Sequence, residues 1–494
     1  MKKLVLFCRN DLTHLYGEMN KHLADSFSLT YLAYENRDEE ILIKDYGISK
    51  IINFKKEISD LINEEIIDLQ LIKQIDKLII EQTENRFCLN SCIQSDRTLA
   101  GKDYNEILTL VQVYYKFWNN FIVKEQYNLL LHEPVSLFFL QIASVLSRKY
   151  GSEYLTQIQV FGEDKFNWIF VAADSGFAVE MPKLLESKYE LSQKDQNRVL
   201  EYIKNFRNNF VLLLPEIASK RKSSSHPKLL SFSRQVLKAA IKEIYNSLTK
   251  KPKSFELHEH VEDYLSSKRT KFSERLKNLW DEFFNFEYDI FEADRDYYYY
   301  PMHTEPEAVV LYWGDGLYKN QIKLIENIAG QLPPNCYLYV KYHPVLKEDR
   351  NYIDYKRIKA IPNVKLIGPQ TLGREIVSKA KGIMTINGTS GFEGILLNKP
   401  VFVFGNSFYD LSDRVIKVKN IRDLREIIYN YHLKAFKDDI ALYKFVSAFL
   451  NISHPGYTAY YSNYRDRLNI DNKKNAGEVA SYIEKYLNQS EILN

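Results

Sequence analysis

A glycine-rich segment between residues 382 and 404 has the residue types and spacing that bind phosphate. An apolar run, Ile383 to Ile386, is followed by the small polar run Asn387 to Gly391, a helix-patterned segment from Phe392 to Asn398, and a second apolar run, Val401 to Phe404. This order predicts a strand, a tight turn, a helix and another strand. Backbone N–H groups at such a helix start carry partial positive charge and favour an anion, usually phosphate.

Side chains of the same segment could add to binding. The hydroxyl groups of Thr389 and Ser390 can donate hydrogen bonds, and Glu393, one turn into the helix, could accept them from a ribose. The alternative is a tight turn of an α/β sheet that binds nothing. The segment alone does not choose between the two.

A second motif, Lys341-Tyr342-His343-Pro344, ends a predicted strand from Tyr337 to Lys341. Ligands of parallel sheets lie beyond the carboxyl ends of the strands. The chain between His343 and Gly388 has room for a helix, a strand and a helix, so both loops should open on the same edge. We therefore predict that His343 and the glycine turn together hold a leaving phosphate, with the imidazole donating to its oxygens.

Two further groups could complete a site. Pro301 and Pro306 fix an extended path that would cross a cleft between domains, with His303 and Glu305 facing it. The alternative for this stretch is a rigid linker with solvated charges.

In the amino half, Glu133, Glu163 and Asp164 follow predicted strands. One of them could act as a base for an acceptor hydroxyl or as a nucleophile, and the sequence does not choose among them. The adjacent Asp96 and Arg97 are expected to form a structural ion pair.

The elements that must position these groups alternate between strand and helix. Strands are predicted in the amino half at 4–8, 29–33, 51–54 and 127–131, and in the carboxyl half at 308–312, 337–341 and 364–367. A long amphipathic helix is predicted from Ile58 to Ile80. Alternation of this kind implies parallel sheets covered on both faces, so the fold class is α/β. The expected units are residues 1–295, with a helical insertion at about 184–292, residues 296–470, and a helix in 471–494 that could pack back on the first domain.

The overall composition of the chain limits the classes of protein to which it can belong. With 494 residues, of which 45% are hydrophobic, the chain can form two or three domains. Because 67 basic residues nearly balance 64 acidic ones, net charge does not indicate nucleic-acid binding. The four cysteines form no metal-binding set, which predicts reduced thiols in a cytoplasmic protein and no metal site. No membrane span is expected. The basic segment from Lys220 to Lys253 is either a solvated helix face or a contact with a lipid-linked phosphate acceptor or with anionic lipid at the inner face of the membrane.

Three motifs in their order resemble the bacterial capsule polysaccharide biosynthesis proteins, a group that includes the retaining β-Kdo transferases of capsule assembly. They lie at 301–307, 340–344 and 387–393, followed by Lys399-Pro400-Val401, within roughly residues 296–410. The pairing of His-Pro with Thr/Ser also resembles bacterial sialyl- and polysialyltransferases, and the turn is similar to that of UDP-N-acetylglucosamine epimerases. Where the Kdo-transferase group often has Gln, this chain has Glu305.

This resemblance implies a GT-B fold, in which two Rossmann-like domains face each other across a cleft. It implies a glycosyltransferase with a nucleotide-sugar donor, best a CMP-activated ulosonic acid such as Kdo, a glycan or lipid-linked acceptor, and neither metal nor cofactor. The alternatives are a UDP- or GDP-sugar transferase, a nucleotide-sugar epimerase, and a non-catalytic capsule-assembly protein. The predicted donor-binding residues are Lys341, His343, Pro344, Asn387, Gly388, Thr389, Ser390, Gly391 and Glu393.

Overall fold

The computed structural model describes residues 1–62, 66–99, 102–186, 191–208, 287–304, 309–341, 352–368, 371–433, 439–458 and 468–489, with a few positions between 233 and 241. His343, Pro344 and Glu305 lie outside the described residues. So do most of the predicted helical insertion at 184–292 and most of the basic segment between Lys220 and Lys253.

The first domain is built on a seven-stranded sheet with the order β13-β6-β5-β4-β1-β2-β3. The strands from β5 to β3 are parallel, whereas β6 runs antiparallel to β5 and β13 antiparallel to β6. Because helices cover both faces, strands such as β1 are almost continuously apolar and buried. The strands are β1 Lys3–Cys8, β2 Ser28–Ala33, β3 Ile51–Asn53, β4 Leu129–Leu131, β5 Glu153–Val160, β6 Asn167–Ala172 and β13 His454–Pro455.

The described residues up to 208 form nine helices. They are α1 Asp11–Leu23, α2 Asn36–Tyr46, α3 Phe54–Ile62, α4 Leu69–Gln82, α5 Leu89–Ser95, α6 Tyr104–Glu125, α7 Phe138–Lys149, α8 Met181–Glu186 and α9 Gln193–Asn208. The single helix predicted from Ile58 to Ile80 was wrong, because α3 ends at Ile62 and α4 starts afresh. Asp68 begins α4 by accepting hydrogen bonds from Gln70 N (2.8 Å) and Leu71 N (3.2 Å), an N-cap that the apolar periodicity concealed.

The second domain is built on a six-stranded parallel sheet with the order β12-β11-β10-β7-β8-β9. Its central strand β7 carries four consecutive buried tyrosines, and the rings of Tyr297 and Tyr339 stack with centroids 4.3 Å apart. The strands are β7 Tyr297–Pro301, β8 Tyr337–Lys341, β9 Val364–Ile367, β10 Ile383–Thr385, β11 Val401–Val403 and β12 Val415–Lys417.

The strand predicted from Ala308 to Tyr312 was wrong. Residues Val309–Trp313 instead form one turn of π-helix. Strand β7 already occupies the centre of the sheet, and the turn lets Trp313 reach the first domain, where its Nε1 donates to the carbonyl of Ala173 (3.0 Å). Apolar periodicity cannot separate a buried strand from a buried turn of this length.

The helices of the second half alternate with these strands, and the last of them leaves the second domain. They are α10 Gln321–Gln331, α11 Tyr352–Lys359, α12 Gly373–Lys379, α13 Thr389–Leu396, α14 Leu424–Leu433, α15 Ile440–Ile452 and α16 Asn472–Gln489. The chain rejoins the first sheet at β13, earlier than the predicted limit of 470. In α16, Ala476, Val479 and Ile483 share one buried core with Leu15 and Met19 of α1.

The carboxyl edges of the two sheets converge on the π-helical turn, where the domains meet. Arg86 of the first domain contacts Asp174 (Nη2–Oδ2, 3.0 Å) and also Asp315 of the second (Nη1–Oδ1, 3.3 Å). The chain therefore has a GT-B-like α/β fold, with two Rossmann-like domains whose carboxyl sheet edges face each other.

Candidate functional site

The glycine turn connects β10 to α13 at the carboxyl edge of the second sheet. Its conformation is fixed by two hydrogen bonds: Gly388 N donates to Thr385 Oγ1 (2.9 Å), and the hydroxyl of Tyr409 donates to the Gly388 carbonyl (2.7 Å). Helix α13 starts at Thr389, with Gly388 as its N-cap, and the Thr389 side chain is exposed. The first N–H groups of a helix have no partner within that helix, so this edge can bind an anion.

Among the described residues, the imidazole that lies against this turn is that of His303. Its Nε2 is 3.2 Å from Thr385 Oγ1, and a Cβ on Gly388 would come within 3.1 Å of its Cε1. Gln321 fixes the backbone of His303, accepting from its N–H (2.8 Å) and donating to its carbonyl (3.1 Å). The structure thus brings His303 and the glycine turn together.

Asn387 carries a buried polar atom that a ligand could use. Its Nδ2 donates to the carbonyl of Val309 (3.0 Å), which ties the glycine turn to the π-helical turn. Its Oδ1 is buried and has no hydrogen-bond partner in the described part of the chain. Since buried polar groups are almost always paired, an unpaired one in a cleft indicates a position for a bound molecule or water.

Glu393 is half-buried on α13 and has a cationic neighbour, Arg374 of α12. Burial lowers the pKa of Arg374, and the Glu393 carboxylate opposes that shift. Arg374 also donates to the carbonyl of Phe206 in α9. The start of α13 is therefore close to helix α9 of the first half.

The edge that should carry His343 is the same one. Pro301 lies opposite Lys341 in the pairing of β7 with β8, and Tyr299 lies opposite Ile383 in the pairing of β7 with β10; all three strands are parallel. Lys341, at the end of β8, is 4% exposed. The role of His343, Pro344 and Glu305 stays a prediction, since they lie beyond the described part of the chain.

Of the three carboxylates predicted in the amino half, Glu133 lies at the carboxyl edge of the first sheet. It directly follows His132 after β4 and contacts Arg9 (Oε2–Nη1, 3.6 Å), which follows β1. The Glu133 side chain is 34% exposed, so it remains accessible from the cleft.

Glu163 and Asp164 lie elsewhere. They form the tip of the β5–β6 hairpin, and β5 runs from Leu155, level with the end of β4, to Val160, which is ~16 Å farther. Glu163 pairs with Arg198 (Nε–Oε1, 2.9 Å), and Asp164 closes the hairpin by a bond from its N–H to Asn167 Oδ1 (2.9 Å). Both acids therefore have partners within the first half of the chain, Arg198 for Glu163 and Asn167 for Asp164.

His132 is almost completely buried beneath the same edge, with 1% of its surface exposed. Burial lowers its pKa to about 4, so the imidazole is neutral near pH 7. Its Nδ1 is 2.8 Å from the carbonyl of Phe7, which can only accept, so the proton lies on Nδ1. Nε2 is then an unprotonated acceptor, and it accepts no hydrogen bond from the residues that the structure describes.

The expected ion pair between Asp96 and Arg97 is absent. Asp96 Oδ2 accepts from Phe138 N (2.6 Å) at the start of α7, and Oδ1 accepts from the N–H (2.6 Å) and hydroxyl (2.7 Å) of Thr98. The guanidinium of Arg97 makes no ion pair or hydrogen bond with any residue that the structure describes. The sequence analysis did not identify Arg9 as a site residue, although its position directly after β1 indicates the carboxyl edge of the sheet. The sequence around Arg97 contains no signal of a binding role.

Among the described ranges, no group of three or more His, Cys, Asp or Glu residues is placed to hold a metal ion. Within the same ranges, none of the helices combines the length and apolarity that a membrane crossing requires.

Curated relatives of this chain are capsule proteins and one further bacterial protein. The chain is 27% identical over 151 residues to the capsule polysaccharide export protein KpsS of Escherichia coli, covering 28% of this chain and 35% of the relative. It is 31% identical over 105 residues to the capsule polysaccharide modification protein LipB of Neisseria meningitidis (18% and 23% covered) and 32% identical over 105 residues to FixF of Sinorhizobium fredii (21% and 24%). The matched segments span a quarter to a third of these relatives.

Two solved structures illustrate the fold comparison. One is KpsC from Thermosulfurimonas dismutans, a beta Kdo 2,4 transferase, at 15% identity and a TM-score of 0.35, covering 68% of this chain and 84% of that chain. The other is S. aureus MnaA with UDP, at 11% identity and a TM-score of 0.28, covering 99% and 97%. Scores this low support no conclusion about substrate or mechanism.

The family comparison agrees with the motifs. Residues 233–413 match the model of a family described as capsule polysaccharide biosynthesis protein, and this segment contains the π-helical turn, the end of β8 and the glycine turn. The resemblance noted from the sequence is therefore confirmed over this segment, which matches the model of that family.

Proposed function

We propose that this protein is a glycosyltransferase of bacterial capsule or surface polysaccharide biosynthesis. It would transfer a sugar, best Kdo or another ulosonic acid from a CMP-sugar, to a glycan or lipid-linked acceptor. The observation that carries the proposal is the glycine turn, which opens α13 against His303 at the edge facing the first domain. The match of residues 233–413 to the capsule family supports the biological setting.

In this proposal the nucleotide phosphate binds where Gly388, Thr389 and Ser390 begin α13. His303 holds the turn through Thr385, and His343 donates to the phosphate oxygens as the bond to the sugar breaks. A well-placed donor to developing negative charge contributes ~2.7–4 kcal/mol to lowering the barrier. Glu393, half-buried one turn into the helix, would hold the ribose.

The acceptor would approach from the first domain. Glu133 is the predicted carboxylate that lies at the edge of that domain and remains partly exposed. It would serve as the base for the acceptor hydroxyl or as the nucleophile.

The basic segment from Lys220 to Lys253 would hold the enzyme to anionic lipid at the inner face of the cytoplasmic membrane. A liposome pelleting assay at low and high salt can test this attachment.

A thermal-shift panel of CMP, UDP, GDP and their sugars tests the donor. A nucleotide at ~100-fold excess over its Kd should add ~2.7 kcal/mol of stability. Stabilisation by CMP alone would support the proposal, whereas stabilisation by UDP or GDP would indicate a different donor or an epimerase. No response to any nucleotide would indicate a non-catalytic assembly protein. Product analysis with a lipid-linked acceptor then separates transfer from epimerisation.

His343→Ala tests the phosphate-binding role. Turnover should fall by ~100-fold or more while the unfolding midpoint is unchanged, because a donor to the leaving phosphate is lost. His226→Ala is the matched control, since His226 precedes a proline in the same way but lies in the basic segment. Activity of His343→Ala within a few-fold of wild type would remove His343 from the mechanism.

A further inference from the structure

Two arginines of the first domain lie at the edge that faces the glycine turn. Arg9 follows β1, is 6% exposed, and has its guanidinium carbon 4.6 Å from the centre of the Tyr34 ring. Its charge is partly matched by Glu133. Arg97 lies on the loop that Asp96 ties to the start of α7, and it is half-buried.

Of these two arginines, Arg97 is the one whose guanidinium makes no hydrogen bond or ion pair with the described residues. Burial lowers the pKa of Arg97 and the positive charge of Arg9 lowers it further, while Asp96 and Glu133 offset these effects only in part. The nearest acids are already engaged: Asp96 accepts three hydrogen bonds from Phe138 and Thr98, and Glu133 faces Arg9. A half-buried guanidinium without a partner is costly, and an oxyanion would relieve that cost.

A buried polar atom near Arg97 also lacks a hydrogen-bond partner within the described ranges. The hydroxyl of Tyr312 is buried without a hydrogen bond, and Asp96 and Arg97 are among the charged groups acting on it. Tyr312 belongs to the π-helical turn whose Val309 carbonyl accepts from Asn387. The π-helical turn therefore lies between Arg97 of the first domain and Asn387, the residue that precedes Gly388 in the second domain.

We propose that Arg97, assisted by Arg9 and the Tyr312 hydroxyl, forms an oxyanion-binding subsite on the acceptor side of the cleft. Its ligand is the carboxylate of an acidic sugar or the phosphate of a lipid-linked acceptor, which share the geometry that a guanidinium binds with two parallel hydrogen bonds. This inference rests on the proposed function, because it assigns the second substrate of the same cleft.

The test measures binding of two simple probes, inorganic phosphate and glucuronate, to the full chain by calorimetric titration at constant ionic strength. Saturating CMP is present so that the glycine turn is occupied. Arg97→Gln should weaken binding of the preferred probe by about 10- to 100-fold, the loss expected for hydrogen bonds to a charged group. Arg97→Lys should restore part of it. Arg422→Gln, on an exposed position of the second domain, is the matched control and should bind as wild type.

Unfolding of the ligand-free variants separates binding from a structural role. Because Arg97 has no hydrogen bond or ion pair to lose among the residues that the structure describes, Arg97→Gln should unfold at or above the wild-type midpoint, whereas the loss of a structural arginine would destabilise the protein. Preference for phosphate supports a phosphorylated acceptor, and preference for glucuronate supports an acidic sugar. Equal binding of both probes by wild type and Arg97→Gln, or no binding by either, overturns the subsite. The proposed function fails separately, by loss of the nucleotide response in wild type.

Discussion

The hydroxyl of Thr385 joins the two parts of the second-domain site. It accepts the N–H of Gly388 and contacts Nε2 of His303, and the residue is fully buried. A threonine hydroxyl has one hydrogen to donate and lone pairs to accept. The hydroxyl accepts from Gly388 N, and the direction of its hydrogen bond with Nε2 of His303 depends on which nitrogen of the imidazole carries the proton.

Thr385→Val keeps the shape of the side chain and removes the hydroxyl. We expect a loss of ~1–3 kcal/mol in the free energy of unfolding, because the Gly388 N–H and His303 lose their partner. Nucleotide-induced stabilisation should fall as well. Urea unfolding and the CMP thermal shift measure both effects. Thr385→Ser, which keeps the hydroxyl, is the control; equal behaviour of the two variants would contradict the assigned hydrogen bonds.

Asp38 holds the loop that carries Arg9. Its Oδ1 accepts from Asn10 N (3.0 Å) and from the Thr13 hydroxyl (2.7 Å), and it is 3% exposed. Burial raises its pKa from 3.8 to about 6, the Thr13 hydroxyl opposes this shift, and Glu35 adds to it. Since the folded pKa exceeds the unfolded one, this group stabilises the fold most below pH 3.8, and that contribution is lost as pH rises through about 6.

Asp38→Asn should therefore raise the free energy of unfolding at pH 7 by up to ~3 kcal/mol, since an amide oxygen can accept the same bonds without carrying charge. The advantage should shrink below pH 6 and disappear near pH 4. Chemical unfolding of both proteins across this pH range measures it. Asp45→Asn, exposed on the same helix, should leave the pH curve unchanged. A constant difference at every pH would show that charge is not the cause.

At the scale of elements, the first turn of α13 depends on close packing against Tyr409. The Tyr409 hydroxyl donates to the Gly388 carbonyl, and a Cβ on Gly391 would lie 2.4 Å from that oxygen. Tyr409 is fully buried and cannot swing away freely. Glycine at 391 is thus required by the tyrosine that fixes the start of the helix.

Gly391→Ala should lower the free energy of unfolding by ~1–3 kcal/mol through overpacking and should weaken nucleotide binding by displacing Gly388. Gly330→Ala is the control, because nothing lies within 4 Å of its Cβ position and it lies in helix α10. That change should leave stability unchanged or raise it by up to ~1 kcal/mol. Thermal unfolding with and without CMP compares them, and a tolerated Gly391→Ala would contradict the packing argument.

At the scale of the whole molecule, the domains are joined by contacts that surround Asp174. This carboxylate is almost fully buried; burial raises its pKa, but Arg148 and Arg86 lower it more, so it stays ionised. Arg148 contacts it from within the first domain (2.9 Å), whereas Arg86 also reaches Asp315 of the second. Both arginines therefore contact the same carboxylate, and Arg86 in addition connects it to the second domain.

Arg86→Gln should loosen the domains and lower the free energy of unfolding by ~1–3 kcal/mol, because a charged interdomain hydrogen bond is lost. Small-angle scattering should show a larger radius of gyration in the ligand-free protein. Arg148→Gln removes a contact to the same carboxylate without releasing the domain interface, so its radius should match wild type. An identical radius for all three proteins would show that Arg86 does not set domain position.

Much of the molecule could be predicted from the sequence. The alternation of apolar runs with amphipathic segments indicated two parallel sheets, and the glycine turn after Thr385 was recognisable because turn and helix-start residues act locally. A local sequence pattern does not predict the structure of a segment that fits two kinds of secondary structure equally well. The apolar run at 309–313 suits a strand, but the strand position was filled by β7, and the run became the turn that joins the domains.

The sequence by itself determined that a glycine-rich turn with hydroxyl side chains opens a helix at the end of β10, because the residues that form this turn are adjacent in the chain. Only the tertiary structure decided which distant side chains lie near one another: His303 lies against the glycine turn, Glu133 lies beside Arg9 at the carboxyl edge of the first sheet, and Asp96 bonds to Phe138 and Thr98 rather than to Arg97. Strand register and domain orientation set these distances, and both arise from long-range packing that a local pattern does not encode.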